Sequence, residues 1–167
     1  MTLDELNALD RDTALAEFVK CCGSRKWAAA LADKRPYSDL SALLTASDKI
    51  WERCSGEDAL EAFDQHPRIG DIESLEKKFP ETKEWAGGEQ SGVNTASARV
   101  LEELARGNER YEQKFGYIFI ICASGKTAKE MLDLLNERLF NEAGEELEIA
   151  MKEQNKIAHL RLKKLLE

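Results

Sequence analysis

The chain has 167 residues, of which 43% are hydrophobic and 34% charged, and its formal net charge is −8. That length supports a single domain, 1–167, with a sizeable core, and the balance is that of a soluble globular protein and not a disordered one. The acidic charge disfavours binding along a phosphate backbone, so no nucleic-acid partner is expected, though a small anion could bind where a few cations converge.

In chain order, Asp12 or Thr13 can cap a helix that runs to Cys22 and stops at Gly23, with Leu15, Phe18, Val19 and Cys22 on one face. A short helix around Trp27–Leu31 ends before Pro36. Ser38 can cap the next, which carries Leu40, Leu43, Leu44, Ile50 and Trp51. Ser55-Gly56 breaks the chain before a helix from Glu57 to Gln65, which stops at His66-Pro67 because proline biases the preceding residue away from helical geometry. Asp71 can cap a short helix carrying Ile72, Leu75 and Phe79. After Gly87-Gly88 a long helical pattern runs through Val93, Val100, Leu101 and Leu104. Phe115–Ala123 is uninterruptedly apolar, and periodicity cannot say whether it is a buried extended segment or a buried helix. Two helices follow, roughly Thr127–Phe140 and Glu142–Leu166. The pattern predicts a compact all-α bundle with one buried irregular or extended segment near 117–123.

The four cysteines include an adjacent pair, Cys21-Cys22, and no C-x-x-C, so neither a zinc site nor a disulfide framework is expected. Reduced thiols, the absence of a signal-peptide pattern at Met1–Glu5 and the absence of a membrane-length apolar run point to a cytoplasmic protein without a membrane partner. Leu165-Leu166-Glu167 is not a peroxisomal address.

Several residues could carry chemistry. His66 is one of two histidines, and its side chain has the unperturbed pKa nearest neutrality. By itself it reads better as an ordinary helix end with a surface histidine. Ser124-Gly125-Lys126-Thr127 looks like the end of a P-loop, yet the glycine required five residues before Gly125 is Ile120, so a helix start is the better reading. Gly88-Glu89-Gln90 lets backbone approach a ligand and offers a carboxylate and an amide, although on local sequence alone the better reading is a helix start where Glu89 complements the dipole. In the last helix the apolar stripe runs Leu147, Ala150/Met151, Ile157/Ala158, Leu162 and Leu165. Arg161 falls on or beside it, where a charge must snorkel, pair with a buried anion or bind an anionic ligand. His159 falls off that stripe, in solvent. Arg68 could bind ligand or pair with Asp71.

Taken together, His66-Pro67-Arg68-Ile69-Gly70, Glu89-Gln90, Phe115–Ile120 and Ile157–Leu162 resemble the motifs of one family. In order and at comparable spacing, the chain is similar to the 2-oxo-4-hydroxy-4-carboxy-5-ureidoimidazoline (OHCU) decarboxylases of urate degradation. The resemblance implies an all-α domain, no cofactor or metal, and stereospecific conversion of OHCU to (S)-allantoin and carbon dioxide. Carried over by motif, the catalytic histidine and glutamate fall on His66 and Glu89. Substrate-binding positions fall on Pro67, Gln90, Arg161 and the backbone near Phe119 and Ile120. One departure is Ala86, where the family usually has a serine three residues before the glutamate; Ser91 or the Gly87-Gly88 backbone could replace that hydroxyl. Relatives also suggest a homodimer, which no apolar seam here demands.

Three rival readings make different predictions. In a non-catalytic helical interaction module, His66, Glu89 and Arg161 would not converge. A phosphate-binding protein would depend on Lys126. A family member that binds the intermediate without turning it over would show the consequence of Ala86.

Overall fold

The computed structural model describes residues 1–67 and 91–167, the backbone alone for 91–97. Among the described residues every regular element is an α-helix, and there is no strand. The chain divides into two compact units, Met1–His66 with Leu147–Glu167, and Pro67–Glu146.

In the first unit, α1 (Leu3–Ala8) opens on a capping box that the hydrophobic pattern does not announce. The Thr2 hydroxyl accepts from the Glu5 N–H, and the Glu5 carboxylate accepts from the Thr2 N–H. α2 (Arg11–Cys21) is capped by Asp10, not by Asp12 or Thr13. Asp10 is extended and its carboxylate takes the Thr13 N–H at 2.9 Å, which draws Asp12 and Thr13 into the first turn. α3 (Arg25–Asp33) starts from Ser24. α4 (Leu40–Glu52) starts from Asp39 and not from Ser38, because the extended Asp39 offers its carboxylate to the Ala42 N–H at 2.7 Å. α5 (Gly56–Asp64) has a second capping box, Ser55 with Asp58, and ends at Gln65, immediately before His66.

α3 packs against both α2 and α4, and Phe18, Trp27, Leu31, Leu43 and Phe63 are fully or almost fully buried. Side chains of this size contribute about 1.5–3 kcal/mol each on burial. Polar atoms of the large residues find partners as they are buried: Trp27 Nε1 donates to Ser47 Oγ, and Tyr37 Oη to the Leu31 carbonyl. The last helix of the chain, α8 (Ala143–Leu165), adds Ala150, Ala158 and Leu162 to the buried set. Trp51 Nε1 donates to the Met151 carbonyl at 2.9 Å, tying α4 to it.

The second unit holds α6 (Ser91–Phe115), α7 (Ala128–Arg138) and the first turn of α8. α6 and α7 pack together over Leu101, Leu104, Tyr111, Met131, Leu132 and Leu135. Between them, residues 116–127 form no helix or strand. The apolar run Phe119–Cys122 is buried within this irregular stretch, so its side chains are satisfied by burial while its backbone must find other partners. Thr127 caps α7 by accepting from the Glu130 N–H, which agrees with the helix start expected there. Lys126 donates to the Cys122 carbonyl at 2.8 Å, so its ammonium is engaged locally. No helix among the described residues is long and apolar enough to cross a membrane.

Candidate active site

His66 sits where the end of α5 requires. Gln65 closes the helix, and the His66 N–H donates to the Phe63 carbonyl at 3.1 Å, as in a tightened last turn. Gly23 allows the close approach on which this geometry depends. A Cβ there would lie 2.7 Å from Gln65 Cβ and 3.5 Å from Ala62 Cα, so the segment joining α2 to α3 passes against the C-terminal turn of α5. The His66 ring is half-buried, and its Nε2 lies 2.6 Å from Oε1 of Gln154, a fully buried residue of α8.

Arg161 lies on α8 seven residues beyond Gln154, which puts both on one helix face about 10 Å apart along the axis. It is half-buried, and its Nη1 is 3.4 Å from the Cys21 carbonyl at the end of α2. Cys21 and Cys22 are buried and their thiols are pushed up, to about 11 and about 12, chiefly by desolvation; the Arg161 charge acts in the opposite direction. None of the four cysteines, Cys21, Cys22, Cys54 and Cys122, is in a disulfide. The first unit thus presents an imidazole and a guanidinium along one side of α8.

Of the other expected site residues, Pro67, Phe119 and Ile120 belong to the second unit. Pro67 is exposed. Phe119 and Ile120 are buried and held by Arg138, whose Nη1 donates to the Ile120 carbonyl at 2.8 Å and whose guanidinium lies 4.5 Å from the Phe119 ring centroid. Arg138 is in turn paired with Glu146, its Nε donating to Oε1 at 2.7 Å. The fully buried Glu146 also accepts from Tyr111 Oη and from Asn141 Nδ2. Burial and this bond to a carboxylate both push the Tyr111 phenol up. Glu89, Gln90, Arg68, Asp71 and Ala86 lie outside the described residues, and Ser91 is described only as the first residue of α6.

Two residues depart from the sequence reading. His159, expected in solvent, is half-buried with Nε2 2.6 Å from Asp48 Oδ1, and Asn155 Nδ2 donates to the same oxygen. They line a cavity of about 520 Å³ on the α4–α8 side of the first unit, with Trp51, Met151 and Lys152. Gln154 is not marked by residue type, although the stripe contains its signal. Between Ala150 and Ala158 one helical position is needed on the same face, and position 154 is the one that fills it.

The model of the family described as OHCU decarboxylase matches residues 7–163. The chain belongs to the OHCU decarboxylase family. Among curated OHCU decarboxylase relatives, the Haloferax volcanii 2-oxo-4-hydroxy-4-carboxy-5-ureidoimidazoline decarboxylase is 28% identical over 97% of this chain and 94% of its own. The Arabidopsis thaliana uric acid degradation bifunctional protein TTL is 42% identical over 89% of the chain. The chain spans 46% of the length of that plant protein and 32% of a Bacillus subtilis bifunctional relative. A crystal structure of an OHCU decarboxylase in the presence of (S)-allantoin superposes with a TM-score of 0.72 at 39% identity, covering 90% of this chain and 96% of the other. The all-α architecture is therefore that of the family.

Proposed function

We propose that this protein decarboxylates OHCU stereospecifically to (S)-allantoin and carbon dioxide, a carboxy-lyase reaction of urate degradation. The observation that carries the reading is the near-full-length match, at 39% identity, to an OHCU decarboxylase crystallised in the presence of (S)-allantoin. The family match over 7–163 supports treating 1–167 as one functional domain. A soluble, cytoplasmic protein acting on a small molecule, as a monomer or homodimer, fits this role.

The chemistry asks for a small set of groups. In OHCU the carboxylate is on C4, next to the C5=N carbon, so the substrate is a β-imino acid. When the bond from C4 to the carboxylate breaks, its electron pair forms a C4=C5 bond, and the C5=N pair moves to the ring nitrogen, which takes a proton. The resulting enol then loses its C4 hydroxyl proton and gains a proton on one face of C5. No external electron sink is required. His66 is suited to take the hydroxyl proton, with Glu89 positioning it or sharing in the transfer. Gln90 offers a donor and an acceptor to the ureido group. Arg161 provides a planar two-pronged donor for ring or ureido oxygens. Clamping the departing carboxylate itself would stabilise the ground state and slow the reaction. Pro67 shapes the pocket wall, and backbone groups at Phe119 and Ile120 serve the ring.

The test is to generate OHCU fresh from urate, add the protein and follow the circular dichroism of the product. OHCU decays unaided to racemic allantoin, so a dichroic product that disappears in His66→Ala establishes a stereospecific decarboxylase dependent on His66. A racemic product at the uncatalysed rate with the wild-type protein refutes the activity.

A further inference from the structure

The geometry points to Gln154 as the positioning residue that sets the tautomer of His66; the consequence for catalysis rests on the function proposed above. Gln154 is fully buried, and the imidazole is its one described side-chain partner, at 2.6 Å from Oε1 to Nε2. Its own Nε2 is buried with no partner among the described residues, so the side chain is not explained by a helix cap or an ion pair. A buried amide half-satisfied in this way is costly. What it secures is a defined imidazole.

A carboxamide oxygen only accepts hydrogen bonds, so the ring nitrogen facing it carries hydrogen. In the neutral ring the lone pair then belongs to Nδ1, and Nδ1 is the nitrogen that takes up and returns a proton. The bond to Gln154 survives in both states, because the imidazolium also carries hydrogen on Nε2. The amide thus orients the base without competing for its proton, and it adds no charge that would oppose binding of an anionic substrate. The rigid α8 carries it, two turns from Arg161 on the same face, so one helix registers the imidazole against the guanidinium.

The test uses full-length protein with ¹⁵N-labelled histidine, recording long-range ¹H–¹⁵N correlations at a pH where the imidazole is neutral. The chain has only two histidines, and His159→Asn assigns the remaining ring as His66. The wild type should show a protonated Nε2 and an unprotonated Nδ1. Gln154→Leu, which keeps volume on an apolar stripe, should reduce the share of the Nε2-protonated tautomer. It should also lower kcat roughly 10- to 100-fold with KM little changed, less than the roughly 100- to 10,000-fold that the general base itself carries, because the ring remains and only its tautomer is released. Gln154→Glu retains an acceptor facing Nε2 and should restore the wild-type tautomer, which a purely structural role for the glutamine does not require. A wild-type ring protonated on Nδ1, or a ring and kcat unaltered in a folded Gln154→Leu protein, overturns the proposal. Failure of the decarboxylase reading would appear separately, as a wild-type protein that gives racemic product while its His66 spectrum still reports on Gln154.

Discussion

Replacing Arg138 with methionine should be among the most destabilising single changes available in the second unit. The Arg138 side chain is 8% exposed and that of Glu146 is fully buried, so the pair sits out of water. Removing one member of a buried pair typically costs about 3–5 kcal/mol, because the remaining charge is left uncompensated. Here Glu146 would keep two donors, Tyr111 Oη and Asn141 Nδ2, which argues for the lower half of that range. Against this, the Ile120 carbonyl loses its guanidinium donor, worth about 1 kcal/mol. The expected loss is therefore about 4 kcal/mol, a large part of the roughly 5–15 kcal/mol that holds a domain folded. With a urea m-value of about 2 kcal/mol/M, the midpoint should fall by roughly 2 M in a melt followed by far-UV circular dichroism. Adding Glu146→Gln to Arg138→Met removes the stranded charge while keeping an acceptor for Tyr111. The double variant should therefore be more stable than Arg138→Met alone, with the two changes strongly non-additive. A loss below about 1 kcal/mol for Arg138→Met, or additive losses in the double variant, would refute the claim that this pair holds the Phe119–Ile120 segment.

Other consequences lie closer to His66. Gly23→Ala places a Cβ 2.7 Å from Gln65 Cβ, which forces the end of α5 away. We expect an overpacking loss of about 1–3 kcal/mol and, for the proposed decarboxylation, a fall in kcat from displacement of His66; an unchanged melting temperature and unchanged rate would contradict the close approach. Ser55→Ala removes the α5 cap and should cost about 1 kcal/mol, lowering Tm by roughly 2–4 °C in calorimetry, whereas no change in Tm would mean the capping box contributes nothing. Cys21 and Cys22 have thiol pKa values raised by burial to about 11 and about 12. The unfolded chain ionises its thiols from about pH 8.5 upward while the folded chain holds them protonated. Their contribution to stability is thus complete below that pH and is lost as pH rises toward 11–12. The urea midpoint should fall above pH 9, less steeply in Cys21→Ala/Cys22→Ala; equal slopes would remove the thiols as the cause.

The helices were readable because their apolar faces repeat at helical spacing, but their starting points were not. Asp10, Asp12 and Thr13 are all competent caps within four residues, as are Ser38 and Asp39. The choice fell to Asp10 and Asp39, whose backbones are extended and whose carboxylates meet the N–H three residues on. Residue type cannot distinguish these neighbours; backbone geometry does. α1 is only six residues long, too short to display a period, although Thr2 and Glu5 stood at capping-box spacing throughout. Phe115–Ala123 was ambiguous for a related reason. An apolar run says that side chains will be buried, and nothing about where its carbonyls will find donors. One of those donors is Arg138, 18 residues beyond Ile120.

The candidate site divides along the same physical line. His66 and Arg161 could be singled out because each is an unusual residue in its own setting, a histidine before proline and a cation beside an apolar stripe. Gln154 is unusual only by position. Glu146, Ala150, Gln154, Ala158 and Leu162 occupy the buried face of α8 at successive turns, and the two polar members are the ones with specific partners. Glu146 meets Tyr111 and Arg138, 35 and 8 residues away, and Gln154 meets His66 across 88 residues. Leucine at either position would satisfy the helical pattern equally well, and would cost nothing in desolvation. A polar residue on a buried stripe therefore marks a place where a partner from elsewhere in the chain is being held. The stripe identifies the position, but only the tertiary fold identifies the partner, and at position 154 that partner is the imidazole on which the proposed chemistry depends.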